Sequence, residues 1–220
     1  CSACVSWALA MSIDSCAWSL AILLAGRYSG WLADSVALVL LLVPSNALLL
    51  LSRRAQLAAR LREKRLLSAP GVFEMVSAKI ADRMGFEALY MTGYGTVASY
   101  LGMPDAGLAT YSDMVNRVTQ FTSITQTPMI CDGDTGYGGL LNVMHTVRGY
   151  EAAGACAIQL EDQEFPKKCG HVLGRRVVPA QDMADKIRVA LETRTDPNFL
   201  IIARTDARTT LGLDEALRRA

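Results

Sequence analysis

The chain has 220 residues, of which 51% are hydrophobic, and its 22 basic and 21 acidic side chains nearly balance. This length predicts one domain with at most an appendage, and the balanced charge gives no indication of a nucleic acid or other polyanionic partner. The six cysteines do not form a secreted disulfide framework, which indicates a reducing, cytoplasmic setting.

The first 52 residues differ in composition from the rest. Residues 36–51 are an uncharged apolar run, shorter than the ~20 residues that cross a bilayer. Residues 53–65 then carry six basic side chains, which would keep the following domain cytoplasmic if the run were inserted. Three interpretations compete: a weak membrane anchor at residues 31–51, a buried or partner-facing helix, and upstream sequence not native to the protein. The lack of clean periodicity and caps favours the third over membrane contact.

From about residue 53 onward, four short apolar runs each end in polar or glycine residues, and stretches with helical periodicity separate them. Strands buried on both faces that alternate with helices predict a parallel α/β sheet with right-handed crossovers. The runs are FEALYMTG (86–93), TPMICDGDTG (127–136), ACAIQLED (155–162) and NFLIIARTDA (198–207).

Three of the stretches between or before these runs are predicted as helices with one apolar face each, because apolar residues recur at every third or fourth position. Gly85 and Gly154 are predicted to end the first two helices, and Pro179 to begin the third. The predicted apolar faces are Met75, Val76, Ile80 and Met84; Val143, Val147 and Tyr150; and Met183, Ile187 and Leu191.

Polar side chains gather at the carboxyl ends of the four predicted strands, which is where an α/β barrel or open sheet builds its site. The repetition in all four runs predicts one shared functional site. The residues are Thr92 and Gly93, Asp132 and Asp134, Glu161 and Asp162, and Arg204 and Asp206.

Two of these residues indicate a metal ion. Asp132 and Asp134 are two apart, so both carboxylates project to the same side of an extended strand. They would repel each other unless a cation lay between them. Oxygen ligands without clustered histidines favour Mg²⁺ or Mn²⁺ over zinc, and Glu161 on the next strand strengthens this hypothesis. The alternative is a strand-end turn with solvated aspartates.

The segment that follows the third predicted strand carries a candidate nucleophile or acid. Cys169 lies between Lys168 and Gly170, where positive charge favours the thiolate and glycine gives a closing loop its freedom. A single cysteine is more often an inert core residue, but its charged neighbours argue against burial. His171 is equally compatible with a surface or hydrogen-bonding role.

Arg204 ends the fourth predicted strand and allows two interpretations. Its guanidinium fork matches a carboxylate in two places, which suits a substrate clamp. A structural ion pair with Asp206 or another carboxylate fits the sequence equally well.

Taken together, these residues resemble the isocitrate lyase/phosphoenolpyruvate mutase superfamily, especially its short members, the 2-methylisocitrate and 2,3-dimethylmalate lyases and the oxaloacetate hydrolases. The likeness covers residues 53–220 and leaves residues 1–52 outside. The motifs that carry it are MTGYGTVASYLGMPDAGLATYSDM, DGDTGYGG, QLEDQEFPKKCGH and IIARTDAR.

The resemblance implies a (β/α)8 barrel, of which about the first four strand–helix units are present, and a homotetramer in the full-length form. It also implies that a Mg²⁺-dependent lyase cleaves the C–C bond of a 2-hydroxy di- or tricarboxylate to a 2-oxo acid and a smaller acid. Alternatives are an oxaloacetate hydrolase, a phosphonopyruvate-type mutase or hydrolase, and an inactive fragment, since a barrel needs eight units.

The resemblance further implies the roles of the site residues. Cys169 would be the proton donor on a gating loop, Arg204 the substrate carboxylate clamp, and Tyr90 a candidate base by position. Mg²⁺ or Mn²⁺ would be held, directly or through water, by Asp105, Asp132, Asp134 and Glu161. The small carboxylate substrate would contact Tyr90, Thr92, Gly93, Gly170, His171 and Arg204.

Overall fold

The computed structural model describes residues 45–220, and the predictions for residues 1–44 lie outside the described residues. The chain divides into two units, residues 1–49 and 50–220, and the second contains the sheet and all the candidate site residues. Within the described part of the chain, no helix is both long enough and apolar enough to span a bilayer. The boundary predicted after residue 52 stays a prediction.

Helices and strands alternate along the chain, and the five strands form one parallel sheet in the order β1-β2-β3-β4-β5. Sequential parallel strands with intervening helices are the arrangement of a (β/α)8 barrel, so the predicted fold class is confirmed. The elements are α1 (Ser45–Arg62), β1 (Gly71–Val72), α2 (Met75–Arg83), β2 (Leu89–Met91), α3 (Gly93–Leu101), α4 (Tyr111–Ile124), β3 (Met129–Asp132), α5 (Leu140–Ala152), β4 (Ala157–Glu161), α6 (Ala180–Thr193), β5 (Leu200–Arg204), α7 (Ala207–Leu211) and α8 (Leu213–Arg219).

The four predicted strands are β2 to β5, and β1 is an additional strand that the sequence did not reveal. Two residues are too short to show as an apolar run. Gly71 of β1 pairs with Tyr90 of β2, and a Cβ on Gly71 would lie 2.9 Å from Cγ2 of Thr92. Glycine therefore lets this short strand pack closely against the end of β2.

The register of the sheet brings the polar strand ends to one edge. Asp132 of β3 pairs with Gln159 of β4, and Glu161 of β4 pairs with Arg204 of β5. The main core lies between the sheet and the helices that cover it. Its largest buried side chains include Leu89, Met91, Met114, Phe121, Tyr150, Ile158 and Phe199.

The predicted helix faces are partly wrong. α5 buries Val143, Val147 and Tyr150 as predicted, whereas α2 packs through Ala78 and Ala81. The small alanine side chains let α2 approach the sheet closely. Three of the four predicted face residues of α2 are therefore exposed: Val76 (66%), Ile80 (57%) and Met84 (64%).

The ends of the helices follow the sequence more closely than their faces do. Gly85 and Gly154 both have positive φ, as expected of glycines that end helices. Pro179 lies immediately before the first residue of α6. In α6, Met183 is buried and Ile187 packs against the core, as predicted, but Leu191 is 44% exposed because it lies at the edge of that face.

Part of the basic stretch after residue 52 anchors α1 to the domain. Arg54 is buried and donates hydrogen bonds to the carbonyl oxygens of Ala155 (3.0 Å) and Glu151 (2.6 Å). Its guanidinium also lies 3.4 Å from a carboxylate oxygen of Asp196. One of the six basic residues that suggested a membrane-flanking cluster is thus an internal ion-pair partner.

Candidate active site

The carboxyl ends of the strands line an open cleft of about 680 Å³. Three of the residues predicted for the site do not line it: Asp134 is buried next to it, Asp162 is buried and accepts a hydrogen bond from the Asp206 N–H, and Asp206 pairs with Arg204. The predicted residues in the lining are Tyr90, Thr92, Gly93, Asp105, Asp132, Glu161, Cys169, Gly170, His171 and Arg204.

Asp132 is fixed by the backbone around it. One carboxylate oxygen accepts a hydrogen bond from the Asp134 N–H at 3.0 Å, and the other accepts one from the Gly93 N–H at 3.2 Å. Gly93 is the first residue of α3, so the positive end of that helix faces the carboxylate. A Cβ on Gly93 would lie 2.7 Å from Asp132 Oδ2. The close approach of α3 to Asp132 therefore requires glycine.

Asp105 and Asp134 form a buried cluster with Lys167, a residue that the sequence analysis did not select. The Lys167 Nζ lies 2.5 Å from Asp105 Oδ1 and 2.6 Å from Asp134 Oδ1, and the three side chains are between 4% and 7% exposed. Burial lowers the pKa of Lys167, but the two carboxylates raise it by more. The ammonium therefore stays charged and neutralises part of the acidic group.

Asp134 has two unusual properties. Its φ is +48°, in the left-handed region that residues other than glycine rarely adopt. Burial, followed by the charge of Asp132, raises the pKa of its carboxyl, while Lys167 partly offsets both effects. Strained backbone and a perturbed carboxyl are often found together at functional sites.

Glu161 presents one oxygen that has no protein partner. Its side chain is 3% exposed, and Oε2 lies 3.1 Å from Nη1 of Arg204. Oε1 is buried and accepts no hydrogen bond from any residue that the structure describes. Burial raises the pKa of Glu161 to about 8, although Arg204 opposes the shift.

Arg204 makes the ion pairs that one of its two interpretations predicted, and it also reaches the cleft, so its role as a substrate clamp stays a prediction. Its Nη2 lies 3.1 Å from Asp206 Oδ2, and its Nη1 pairs with Glu161. The side chain nevertheless remains 30% exposed and lines the cleft. The flanking carboxylates orient the guanidinium while leaving part of it accessible to a ligand.

Tyr90 ends in the cleft, and its hydroxyl oxygen accepts a hydrogen bond from Gln159 Nε2 at 2.7 Å. Burial, and then the charge of Asp132, raises the pKa of Tyr90 well above its ordinary value. A protonated phenol at this position can donate a hydrogen bond to a ligand in the cleft, and the role of Tyr90 as a base stays a prediction.

The loop after β4 brings Cys169, Gly170 and His171 to the cleft. Cys169 is partly exposed, whereas Cys131 and Cys156 are buried in the sheet region. A Cβ on Gly170 would lie 2.7 Å from Nη2 of Arg204. The thiol-bearing loop therefore rests directly against the guanidinium.

The acidic residues have the right chemistry for a hard divalent cation. Within residues 45–220, no three His, Cys, Asp or Glu side chains are grouped closely enough to hold an ion directly. Mg²⁺, however, usually keeps several waters and is bound through one or two carboxylates. Asp132 and Glu161 both line the cleft, and the unpartnered Oε1 of Glu161 is a free oxygen donor. These two residues fit a hydrated Mg²⁺, while Asp105 and Asp134 are paired with Lys167.

An apolar wall completes the cleft and was missed by the sequence analysis. Phe73, Tyr94 and Ala98 line it beside the polar strand ends. Phe73 follows β1, the strand too short to be recognised. Tyr94 belongs to the MTGYG motif and follows Gly93 directly, so the sequence could have indicated that it lines the cleft. Lys167 gave no comparable signal, because nothing in KKCGH distinguishes the buried lysine from the exposed one.

The chain is similar to known proteins over most of this domain. The family model for phosphoenolpyruvate phosphomutase matches residues 57–220. The chain is 52% identical over 166 residues to 2,3-dimethylmalate lyase of Eubacterium barkeri, covering 74% of this chain and 57% of that one. It is 46% identical over 171 residues to 2-methylisocitrate lyase of Aeropyrum pernix, covering 77% and 54%. The chain thus spans about half the length of the curated relatives it matches.

Solved structures support the same relationship. Oxaloacetate acetylhydrolase, solved with the inhibitor 3,3-difluorooxalacetate, matches with a TM-score of 0.74 and 39% identity, over 77% of this chain and 59% of that chain. Phosphonopyruvate hydrolase, solved with oxalate and Mg²⁺, matches with a TM-score of 0.69 and 36% identity, over 76% and 57%. The fold, the ordered motifs and the family model agree, and the chain belongs to the phosphoenolpyruvate mutase/isocitrate lyase superfamily.

Proposed function

We propose that this chain forms part of a Mg²⁺-dependent carbon–carbon lyase. It would cleave a 2-hydroxy di- or tricarboxylate of the 2-alkylmalate or 2-methylisocitrate type to a 2-oxo acid and a smaller carboxylic acid. The observation that carries this proposal is that one cleft brings the Cys169 loop against Arg204, next to the strand-end carboxylates of Asp132 and Glu161. The identity with 2,3-dimethylmalate lyase supports the substrate class.

Substrate binding follows from the positive group in the cleft. Arg204 is oriented by Asp206 and Glu161 but stays partly exposed, so its free edge can receive a substrate carboxylate. The Tyr90 hydroxyl, fixed by Gln159, can donate a hydrogen bond to a second substrate oxygen. The apolar wall of Phe73 and Ala98 offers a surface for alkyl groups.

A divalent cation held by Asp132 and Glu161, directly or through water, would polarise the substrate hydroxyl and the neighbouring carboxylate and so lower the hydroxyl pKa, with the released proton passing to water in the open cleft. Arg204 would stabilise the negative charge that develops on the departing fragment when the bond breaks. Cys169 would then donate its thiol proton to the carbon of that fragment, with the closed loop excluding water.

The proposal is tested by offering the purified chain 2,3-dimethylmalate and 2-methylisocitrate with Mg²⁺ and measuring the release of 2-oxo acid. We expect release that depends on the cation and that Cys169→Ser reduces severely. Lys168→Ser changes the exposed residue next to the thiol and serves as the matched control. If neither acid is cleaved while phosphonopyruvate is turned over, the lyase proposal is wrong.

Hydrolysis of oxaloacetate at the same site is a second candidate. It is favoured by the likeness to oxaloacetate acetylhydrolase at 39% identity. Release of oxalate from oxaloacetate, without release of a 2-oxo acid from the hydroxy acids, would support it over the lyase. The cytoplasmic location indicated by the cysteines and the homotetramer implied by the resemblance also remain proposals. Light scattering coupled to gel filtration measures the oligomeric state.

A further inference from the structure

The side chain of Arg175 connects the loop that carries Cys169 to α7, the helix that follows Arg204. Its Nη1 donates a hydrogen bond to the carbonyl oxygen of Gly170 and lies 3.5 Å from the carbonyl oxygen of Cys169. Its Nη2 donates a hydrogen bond to Oγ1 of Thr209 at 2.5 Å. Thr209 belongs to α7, which begins directly after Asp206, the partner of Arg204. One guanidinium thus joins both sides of the site.

The position of this bridge affects where the thiol lies. Gly170 lies against Arg204. The Arg175 guanidinium contacts the carbonyl oxygens of Gly170 and of the preceding residue, Cys169. Other contacts hold the start of the loop: Gln163 exchanges hydrogen bonds with the backbone of Lys168 at 2.9 and 3.0 Å. The Arg175 contacts fall on Cys169 and Gly170, two of the loop residues that line the cleft.

We propose that Arg175 is a positioning residue, which sets the placement of the Cys169–Gly170 segment against Arg204 by bridging it to Thr209. The effect of Arg175 on catalysis rests on the proposed function, in which Cys169 is the proton donor. A proton donor must lie within reach of the reacting carbon, so the placement of Cys169 would affect the rate. A planar fork with several donors can hold carbonyl oxygens and a hydroxyl at the same time. A lysine at this position could hold only part of that set.

Arg176 provides a matched control next to it in the sequence. It carries the same charge, but its side chain is 77% exposed and pairs with Glu164. Arg175→Gln and Arg176→Gln therefore remove the same charge from neighbouring positions, and the first of them removes the bridge to the thiol loop. Arg175→Lys keeps the charge and part of the donor set.

The experiment measures the alkylation rate of Cys169 by iodoacetamide in the full chain, read by peptide mass spectrometry so that the other cysteines are resolved. Rates are followed from about pH 6 to about pH 9, because the high-pH rate reports access to the ionised thiol. We expect Arg175→Gln to raise that rate about fivefold or more, Arg176→Gln to leave it within about twofold, and Arg175→Lys to restore part of the difference.

Two outcomes would overturn the inference. In one, Arg175→Gln and Arg176→Gln give the same Cys169 rate. In the other, Arg175→Gln speeds the alkylation of the buried Cys131 and Cys156 by the same factor as Cys169, which would mean a general loosening of the fold. Alkylation needs no turnover, so the rates decide whether Arg175 positions the thiol even where the lyase assay refutes the proposed function. In an active chain, Arg175→Gln should also lower kcat/KM far more than Arg176→Gln does.

Discussion

The buried cluster of Lys167, Asp105 and Asp134 gives the sharpest test of the site's electrostatics. Lys167→Met keeps most of the volume of the side chain but removes the ammonium, which lies 2.5 and 2.6 Å from the two carboxylates. Both carboxylates then remain buried without the cation that neutralises them. The variant should fold less stably, and the loss should come from charge rather than from packing.

The size of the loss follows from the burial of all three side chains, each at most 7% exposed. Removing one partner of a buried ion pair typically costs about 3–5 kcal/mol. That is a large share of the roughly 5–15 kcal/mol by which domains are stable. In a unit of this size it lowers the melting temperature by about 6–20 °C.

Chemical denaturation of Lys167→Met and of Lys168→Met measures the difference. Lys168 is exposed and its Nζ contacts the Gly174 carbonyl oxygen, so its loss should cost under about 1 kcal/mol. The penalty of Lys167→Met should also shrink at acidic pH, because protonated carboxyls no longer need a cation. If the two variants lose equal stability, or if the Lys167→Met penalty does not change with pH, the electrostatic account is refuted.

Two further predictions concern the carboxylates that line the cleft. Gly93→Ala places a Cβ 2.7 Å from Asp132 Oδ2 and should cost about 1–3 kcal/mol in denaturant unfolding, whereas Gly139→Ala meets nothing within 4 Å; equal losses would contradict the close approach. Burial raises the pKa of Glu161 to about 8. Between the ordinary carboxyl pKa and pH 8, the metal-free folded chain therefore binds more protons than the unfolded chain. The free energy of unfolding of the metal-free chain should fall as the pH rises through this range. Mg²⁺ binding by calorimetry should strengthen over the same range and release protons; an affinity that is independent of pH, or unchanged in Glu161→Gln, would argue against the assignment.

The sequence predicted the parallel sheet and the position of the site because both follow from local patterns. Apolar runs of four to eight residues mark buried strands, and parallel strands place their carboxyl ends at one edge. β1 escaped because two residues make no pattern. The exposed face of α2 was misassigned because the helix packs through Ala78 and Ala81, and the contact partner, which the sequence does not show, decides which apolar stripe is buried.

The sequence could not predict which site residues pair with each other, for a similar reason. The buried cluster joins three residues that are far apart in the sequence: Asp105, Asp134 and Lys167. A helix and a strand separate each of them from the next, so their contact depends on the paths of the loops that carry them. Lys167 and Lys168 are adjacent in KKCGH, and only the conformation of the loop buries Lys167 and leaves Lys168 exposed. Arg175 likewise gains its role from Thr209, a residue 34 positions away.

The charge balance of the cleft supports the proposed cation independently of any ligand geometry. With every group ionised, five carboxylates accompany two cations, Lys167 and Arg204, which leaves three negative charges in excess; the carboxylates are Asp105, Asp132, Asp134, Glu161 and Asp206, the last paired with Arg204. A dicarboxylate substrate would add two more negative charges and be repelled, whereas one divalent cation offsets most of the excess. A dicarboxylate such as oxalate should therefore bind much more tightly in the presence of Mg²⁺ than in EDTA, by about tenfold or more. Equal affinity under both conditions, measured by calorimetry, would mean that Arg204 and Lys167 suffice and that the cation has no part in binding the substrate.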